Sequence, residues 1–184
     1  MLASPLRKAV TKRMSRTRLS PEKWLAAGVD ALIASGPSAL AAEPLARALG
    51  TTKGSFYWHF KDVPTFQSAL IETWRKQALA NLGRAVGAEG RPDTRLRQFG
   101  HDILADQTEA ALRLWAPSHS ELVQVLQALD HERLTYISLL LREMGLGNQN
   151  FAIALQAALV GLPQLSGAKP QAFDTLVDTV LALS

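Results

Sequence analysis

The sequence predicts an all-α protein: a short helix-turn-helix unit near the N-terminus, then a bundle of longer helices. Three observations carry this. Apolar residues recur at helical spacing through most of the 184 residues, and no β-branched run alternates with period two. Serine, proline and glycine punctuate that pattern where helices would start and stop. Gly50 lies between two short helical stretches, as in a helix-turn-helix.

Taken in order, residues 1–19 read as a flexible basic arm carrying Arg7, Lys8, Lys12, Arg13, Arg16 and Arg18. Ser20 and Pro21 open a first helix, since serine is a good N-cap and proline suits the first helical position. Trp24, Leu25, Gly28, Val29, Leu32 and Ile33 form its apolar stripe, and Gly36 ends it. A short helix over 43–49 must hold Pro44 in its first turn; Leu45, Ala48 and Leu49 are expected to face inward. After Gly50, Thr51 or Thr52 caps a third helix over 53–59. A long helix follows over 64–84, with Phe66, Leu70, Trp74 and Leu82 on its apolar side. Gly83, Gly87, Gly90 and Pro92 mark a break. Further helices are expected over 94–107 and 109–115, then one opened by a capping box of Ser118 and Glu121 and ended at Gly145. Two last helices are predicted over 149–162 and 171–183.

Composition narrows the function. There is no cysteine, so neither a disulfide framework nor a thiolate metal site is expected, and a cytoplasmic location suits the chain. No apolar run approaches the roughly 20 residues of a membrane span, so no membrane partner is expected. The charge is asymmetric: residues 1–62 hold ten Lys/Arg and four Asp/Glu, whereas 63–184 hold ten and twelve. A basic end points to a polyanionic partner. There is no glycine-rich phosphate loop and no zinc-protease helix motif, so no enzyme, cofactor or metal is expected. Asp102 and Asp106, one helical turn apart, read as solvated carboxylates, and Asp130-His131-Glu132-Arg133 reads as a solvated helix face.

The third helix carries the sharpest signal. Phe56, Tyr57, Trp58 and Phe60 fall within five positions of a chain that is 7% aromatic. At about 100° per residue, Phe56 and Phe60 share one face, while Tyr57 and Trp58 point to the other with Gly54. Phe56 and Phe60 therefore belong to the core, and the opposite face to a binding surface. Its chemistry fits a DNA duplex: hydroxyls at Thr52 and Ser55, a cation at Lys53, and a backbone open to close approach at Gly54. Tyr57 and His59 can donate to phosphate, and Lys61 adds charge beyond the helix.

With these residues in view, LARALGTTKGSFYWHFKD resembles the DNA-binding signature of the TetR family of bacterial transcriptional regulators, and the resemblance extends over residues 20–74. It implies a DNA-binding domain over 20–63 and a helical ligand-binding and dimerisation domain over 64–184, with 64–84 as the connecting helix. It implies that Thr52, Lys53, Gly54 and Ser55 read base edges and nearby phosphates, that Tyr57 and His59 grip the backbone, and that Trp58 is a variable contact. The function so implied is a ligand-responsive repressor, binding a palindromic double-stranded DNA operator as a homodimer and released by an apolar or amphipathic small molecule. The alternative is a helical small-ligand carrier or bundle enzyme in which the helix-turn-helix is incidental. Two departures weaken the expected backbone contacts: Ala41-Ala42-Glu43 lacks a hydroxyl at the start of the second helix, and Val63 stands where the family often has lysine. In the second domain, His101, Trp115, His119, Tyr136 and Met144 are the candidate ligand-pocket residues. Phe151, Leu155, Leu159, Phe173, Leu176, Val177 and Val180 form two stripes expected at the dimer interface.

Overall fold

The computed structural model describes residues 19–165 and 170–182; the predicted basic arm, apart from Leu19, lies outside them. Among the described residues the chain forms α1 (Pro21–Ser35), α2 (Ala42–Ala48), α3 (Lys53–His59), α4 (Val63–Val86), α5 (Pro92–Leu104), α6 (Gln107–Trp115), α7 (Ser120–Glu143), α8 (Gln149–Gly161) and α9 (Pro170–Leu181). The predicted helices are present and in order. Most differences fall at their ends, where one or two residues are always in play. Pro44 lies in the first turn of α2, as required. Within α2, however, it is Ala42, Leu45 and Ala46 that are buried, and the expected Ala48 is exposed.

Two ends differ for a chemical reason. The helix predicted over 94–107 stops at Leu104, because the carboxylate of Asp106 caps α6 instead, accepting from the backbone N–H groups of Thr108 and Glu109. The capping box of Ser118 and Glu121 does not form. Residues Ala116–Ser118 make a tight turn in which the Ser118 hydroxyl donates to the Trp115 carbonyl. His119 caps α7 instead, its Nδ1 accepting from the Leu122 N–H at 3.3 Å, and Glu121 accepts from the Ser68 hydroxyl on α4.

The geometry of α4 divides the molecule. Its buried line, Phe66, Leu70, Trp74, Ala78 and Leu82, repeats every four residues. Four residues advance about 400°, so each step drifts about 40° around the helix, and the line turns through roughly 160° in all. The N-terminal part of α4 thus packs with α1, α2, α3, α6 and the start of α7 in one apolar core, running from Trp24 and Leu32 to Leu112, Trp115 and Leu126. Leu82 belongs to a second core, built from α5, the end of α7, α8 and α9. The first core crosses the expected boundary at 63/64, so α1–α3 are not packed as a separate unit. At Gly28 of α1 a Cβ would come within 2.6 Å of Phe66 Cζ and 2.8 Å of Leu70 Cδ1, so the α1–α4 crossing needs a glycine.

The second core corrects the expected dimer interface. Leu155, Leu159, Phe173, Val177 and Val180 are buried within the chain itself, and Phe151 and Leu176 pack half-buried against them. These stripes are consumed by packing of α8 on α7 and of α9 on α5 and α8. The outward faces of the two helices carry Ile153, Ala154 and Ala157 on α8, and Ala172, Thr175 and Thr179 on α9.

Between the cores lies a charged layer. Arg133 grips Glu109 with two parallel hydrogen bonds of 2.7 and 2.8 Å. Arg113 donates to Glu109 at 2.8 Å and to both oxygens of Asp130, at 3.0 and 2.6 Å, and Gln156 of α8 donates to Asp130 at 3.0 Å. Glu109 and Arg133 are both buried. The run Asp130–Arg133, expected as a solvated face, is therefore split. His131 and Glu132 are exposed, but Asp130 and Arg133, three apart, turn toward Glu109 and Arg113, four apart on α6. Burial pushes the Glu109 carboxyl up; the hydrogen bonds and charges of Arg133 and Arg113 outweigh this and hold it below its ordinary value of 4.5.

Two tests follow from this layer. Arg133→Met leaves Glu109 half-compensated and is expected to cost about 3–5 kcal/mol, whereas replacing the pair with Glu109→Leu and Arg133→Met together should recover most of it; urea midpoints measure both. Because the folded carboxyl has the lower pKa, its stabilisation is complete above 4.5 and is lost as pH falls through the folded value. Glu109→Gln should flatten the fall in stability below pH 4.5.

Candidate nucleic-acid interface

The exposed face of α3 is built from the turn that precedes it. Leu49 ends α2, and Gly50 takes φ 61°, a conformation that a side chain disfavours. The N–H of Thr51 then closes onto the Ala46 carbonyl at 2.9 Å, and Thr52, in extended geometry, is the N-cap of α3. This reversal sets α3 across α2 and aims its first residues outward. The Thr52 hydroxyl makes no capping bond within the chain.

Behind that face the aromatics interlock. Phe56 is fully buried, with its ring centroid 5.4 Å from Trp24, 5.4 Å from Phe60 and 5.3 Å from Phe66. Phe60 and Phe66 meet edge to face at 5.0 Å. Aromatic pairs in such tilted and edge-to-face arrangements add about 0.5–1.5 kcal/mol each beyond their burial. The cluster joins α1, α3 and α4, so it fixes the orientation of α3 on the molecule.

In front of it, Thr52, Lys53, Gly54, Tyr57, Trp58 and Lys61 are exposed, and Ser55 and His59 are half-buried. Trp58 is 69% exposed and Tyr57 46%. The Lys53 ammonium lies 5.9 Å from the centre of the Tyr57 ring, and the Trp58 and His59 rings meet edge-on at 5.7 Å. A Cβ on Gly54 would touch nothing closer than the Thr52 hydroxyl, at 3.8 Å. Among the described residues nothing demands glycine there, but an approaching backbone or phosphate would. All eight sequence-predicted DNA-contact residues thus lie together on one short stretch. Beside it, Arg47 is exposed but pairs with Glu43 at 3.3 Å, and Asp62 caps α4 by accepting from the N–H and hydroxyl of Thr65, at 2.8 and 2.6 Å.

The predicted ligand-pocket residues do not converge. Trp115 is buried in the first core with its ring 4.6 Å from His119, whose Nδ1 is spent on the α7 cap. His101 reaches Asp174 of α9 at 2.9 Å, and Met144 closes the end of α7. Tyr136 alone lines a sizeable cavity, a groove of about 600 Å³ bounded by Arg84, Ala85, Arg95, Phe99 and Asp102. Its hydroxyl donates to the Ala85 carbonyl at 2.6 Å. Side-chain type could not reveal this groove, because the break between α4 and α5 shapes it. Asp102 accepts from Gln98; no cluster of three metal-ligating side chains occurs among the described residues.

Among the described residues the chain is all-α and presents a helix-turn-helix whose second helix is exposed and bears hydroxyls and a cation. Residues 25–62 match the model for bacterial regulatory proteins of the tetR family, so the helix-turn-helix segment is similar to theirs. The fold extends the likeness over the bundle. A transcriptional regulator from Rhodococcus sp. Rha1 superposes with a TM-score of 0.71 at 22% identity, covering 90% of this chain and 95% of that one. The repressor of the Stenotrophomonas maltophilia multidrug efflux pump SmeDEF gives 0.63 at 19%, covering 90% of each chain. The fatty acid degradation regulator FadR from Bacillus halodurans gives 0.66 at 14%, covering 88% and 94%. Among the curated proteins, none matches.

The two faces of α3 separate experimentally. Phe60→Ala should cost about 3–5 kcal/mol in urea unfolding of the whole protein. Tyr57→Ala should leave the midpoint within about 0.5 kcal/mol while weakening retention on DNA.

Proposed function

We propose that the protein is a homodimeric, ligand-responsive repressor, each subunit placing α3 in the major groove of one half of a palindromic operator. The observation that carries this is the division of α3: aromatics locked beneath, and Thr52, Lys53, Gly54, Ser55, Tyr57 and Trp58 presented above, with nothing among the described residues that needs the glycine. A recognition helix meets base edges with its N-terminal residues, where the small and hydroxyl side chains lie. Tyr57, His59 and Lys61 serve the phosphates. The basic arm supplies further backbone contact, offsetting the absent hydroxyl near Ala41 and the absent lysine at Val63.

The dimer forms through the outward faces of α8 and α9. Ile153 is 48% exposed and its neighbours Ala154 and Ala157 are small, so two such helices can approach closely around a two-fold axis. The effector, an apolar or amphipathic molecule, occupies the groove between α4, α5 and Tyr136. Being on the long helix that joins the head to the bundle, it biases the separation of the two heads. Reciprocity then requires DNA to weaken effector binding by the same factor.

Binding to sheared genomic DNA, measured as salt is raised, tests the regulator reading. Affinity should fall steeply, and Lys53→Ala should lower both affinity and the salt slope, the latter by about one phosphate's share. No retention at low salt would refute DNA binding. Sedimentation tests the assembly: Ala157→Glu, on the outward face of α8, should convert a dimer to a monomer without changing the helix content.

A further inference from the structure

The described chain begins at the edge of a cleft of about 630 Å³ between α1 and α4. Leu25 and Val29 of α1 and Leu70 and Trp74 of α4 are its apolar walls, and Glu22 and Asp106 are the charged groups among the described residues that line it. Its α4 side runs from Leu70 to Asn81, about 16 Å at helical rise, a length that about five residues of extended chain would span. Asp106 accepts from the Trp74 indole N–H at 3.1 Å and from the start of α6, contacts that orient the carboxylate without cancelling its charge. A hydrogen bond with Ser20 holds the Glu22 carboxyl below its ordinary value, so it is anionic near neutrality. Leu19 packs on the first core three residues before Glu22, and His59, at the end of α3, is near enough to act on the same carboxylate. Residues 1–18 therefore join the described chain beside both the cleft and α3.

We infer that this cleft is a docking site for the chain's own basic segment, residues 1–18, and that the segment is divided between the cleft and DNA. The two match in charge: the segment carries six lysines and arginines and no acid, against two carboxylates in the cleft. They match in polarity as well, since Leu2, Leu6, Val10 and Met14, at every fourth position among those cations, supply apolar side chains for the walls. A tethered segment meets its site at an effective concentration on the order of millimolar, so modest contacts suffice to fill it. DNA phosphates compete for the same cations. Docking therefore acts as an intramolecular brake: only molecules with the segment free can offer it to DNA, and the apparent affinity falls with that fraction. Docking itself stands apart from the regulator reading; the competition with DNA rests on it.

The chain has no cysteine, so Thr11→Cys takes a single nitroxide spin label between Val10 and Lys12 and leaves both in place. In the full chain the label should remove most of the amide NMR intensity of Thr73 and Gln77, on the α4 side of the cleft. It should remove little from Ala154 and Ala157, on the outward face of α8. Val10→Ser and Glu22→Lys, one on each side of the contact, should each restore most of the lost intensity. Undiminished Thr73 and Gln77 signals, equal loss on α8, or indifference to both substitutions would each overturn the assignment. So would loss seen only between chains, with the spin label on one copy and the isotope on another, which gives the cleft to a second copy's segment. Retention on sheared genomic DNA, measured without the label, reports on the regulator reading alone. If both hold, adding a short DNA duplex at low salt should restore the Thr73 and Gln77 signals. Restoration by the substitutions but not by the duplex would overturn the competition.

Discussion

The two-fork grip of Arg133 on Glu109 is the constraint on which the rest of the structure depends. Apolar packing above and below it is non-directional and would tolerate a slip of one helix along another. A buried bidentate pair would not, because any slip leaves a charge unpaired in a dry interior. With Arg113 and Asp130 completing the layer, two positive and two negative charges lock α6 to α7, and Gln156 adds α8. The register of α6 then sets where its first turn lies. That turn carries Asp106, which receives the Trp74 indole of α4, and α6 in turn backs α1 through Leu112 and Trp115 in the first core. The position of α1, and of the helices packed on it, is thus transmitted from a charged layer in the middle of the bundle.

This arrangement also explains why the head has no separate core. The drift of the α4 stripe feeds its first half to α1–α3 and its last residue to the opposite core. Contacts along α4 consequently bear on head orientation. Two clefts, of about 600 and 630 Å³, open along this helix, and Asn81 lines each of them. One cleft is walled by the bundle, the other by the bundle and the head.

The two faces of α3 were legible in the sequence, because they depend on short-range rules. The wheel over 53–60 separated Phe56 and Phe60 from Tyr57 and Trp58, and burial follows that division. Gly50 marked the turn, and its positive φ is the reason. The charged layer was not legible in the same way. Arg133 sits in a run of four charged or ionisable residues, and nothing local tells which of them turns inward. The clue was the matched spacing of Glu109 with Arg113 and Asp130 with Arg133, which has meaning only once α6 and α7 are known to be neighbours. The apolar stripes of α8 and α9 failed in the opposite sense. They were correctly read as buried surface, but their covering is α5 and α7 of the same chain.

The sequence by itself determined the helices, their order, the turn at Gly50 and the two faces of α3. Each of these is encoded within about one helical turn, in caps, glycines and periodicity. Only the tertiary structure decided which apolar stripe met which, that Arg133 and Glu109 would be buried together, and where the clefts would open. Those outcomes depend on pairings between residues far apart in the chain, and a stripe of leucines carries no mark of its partner.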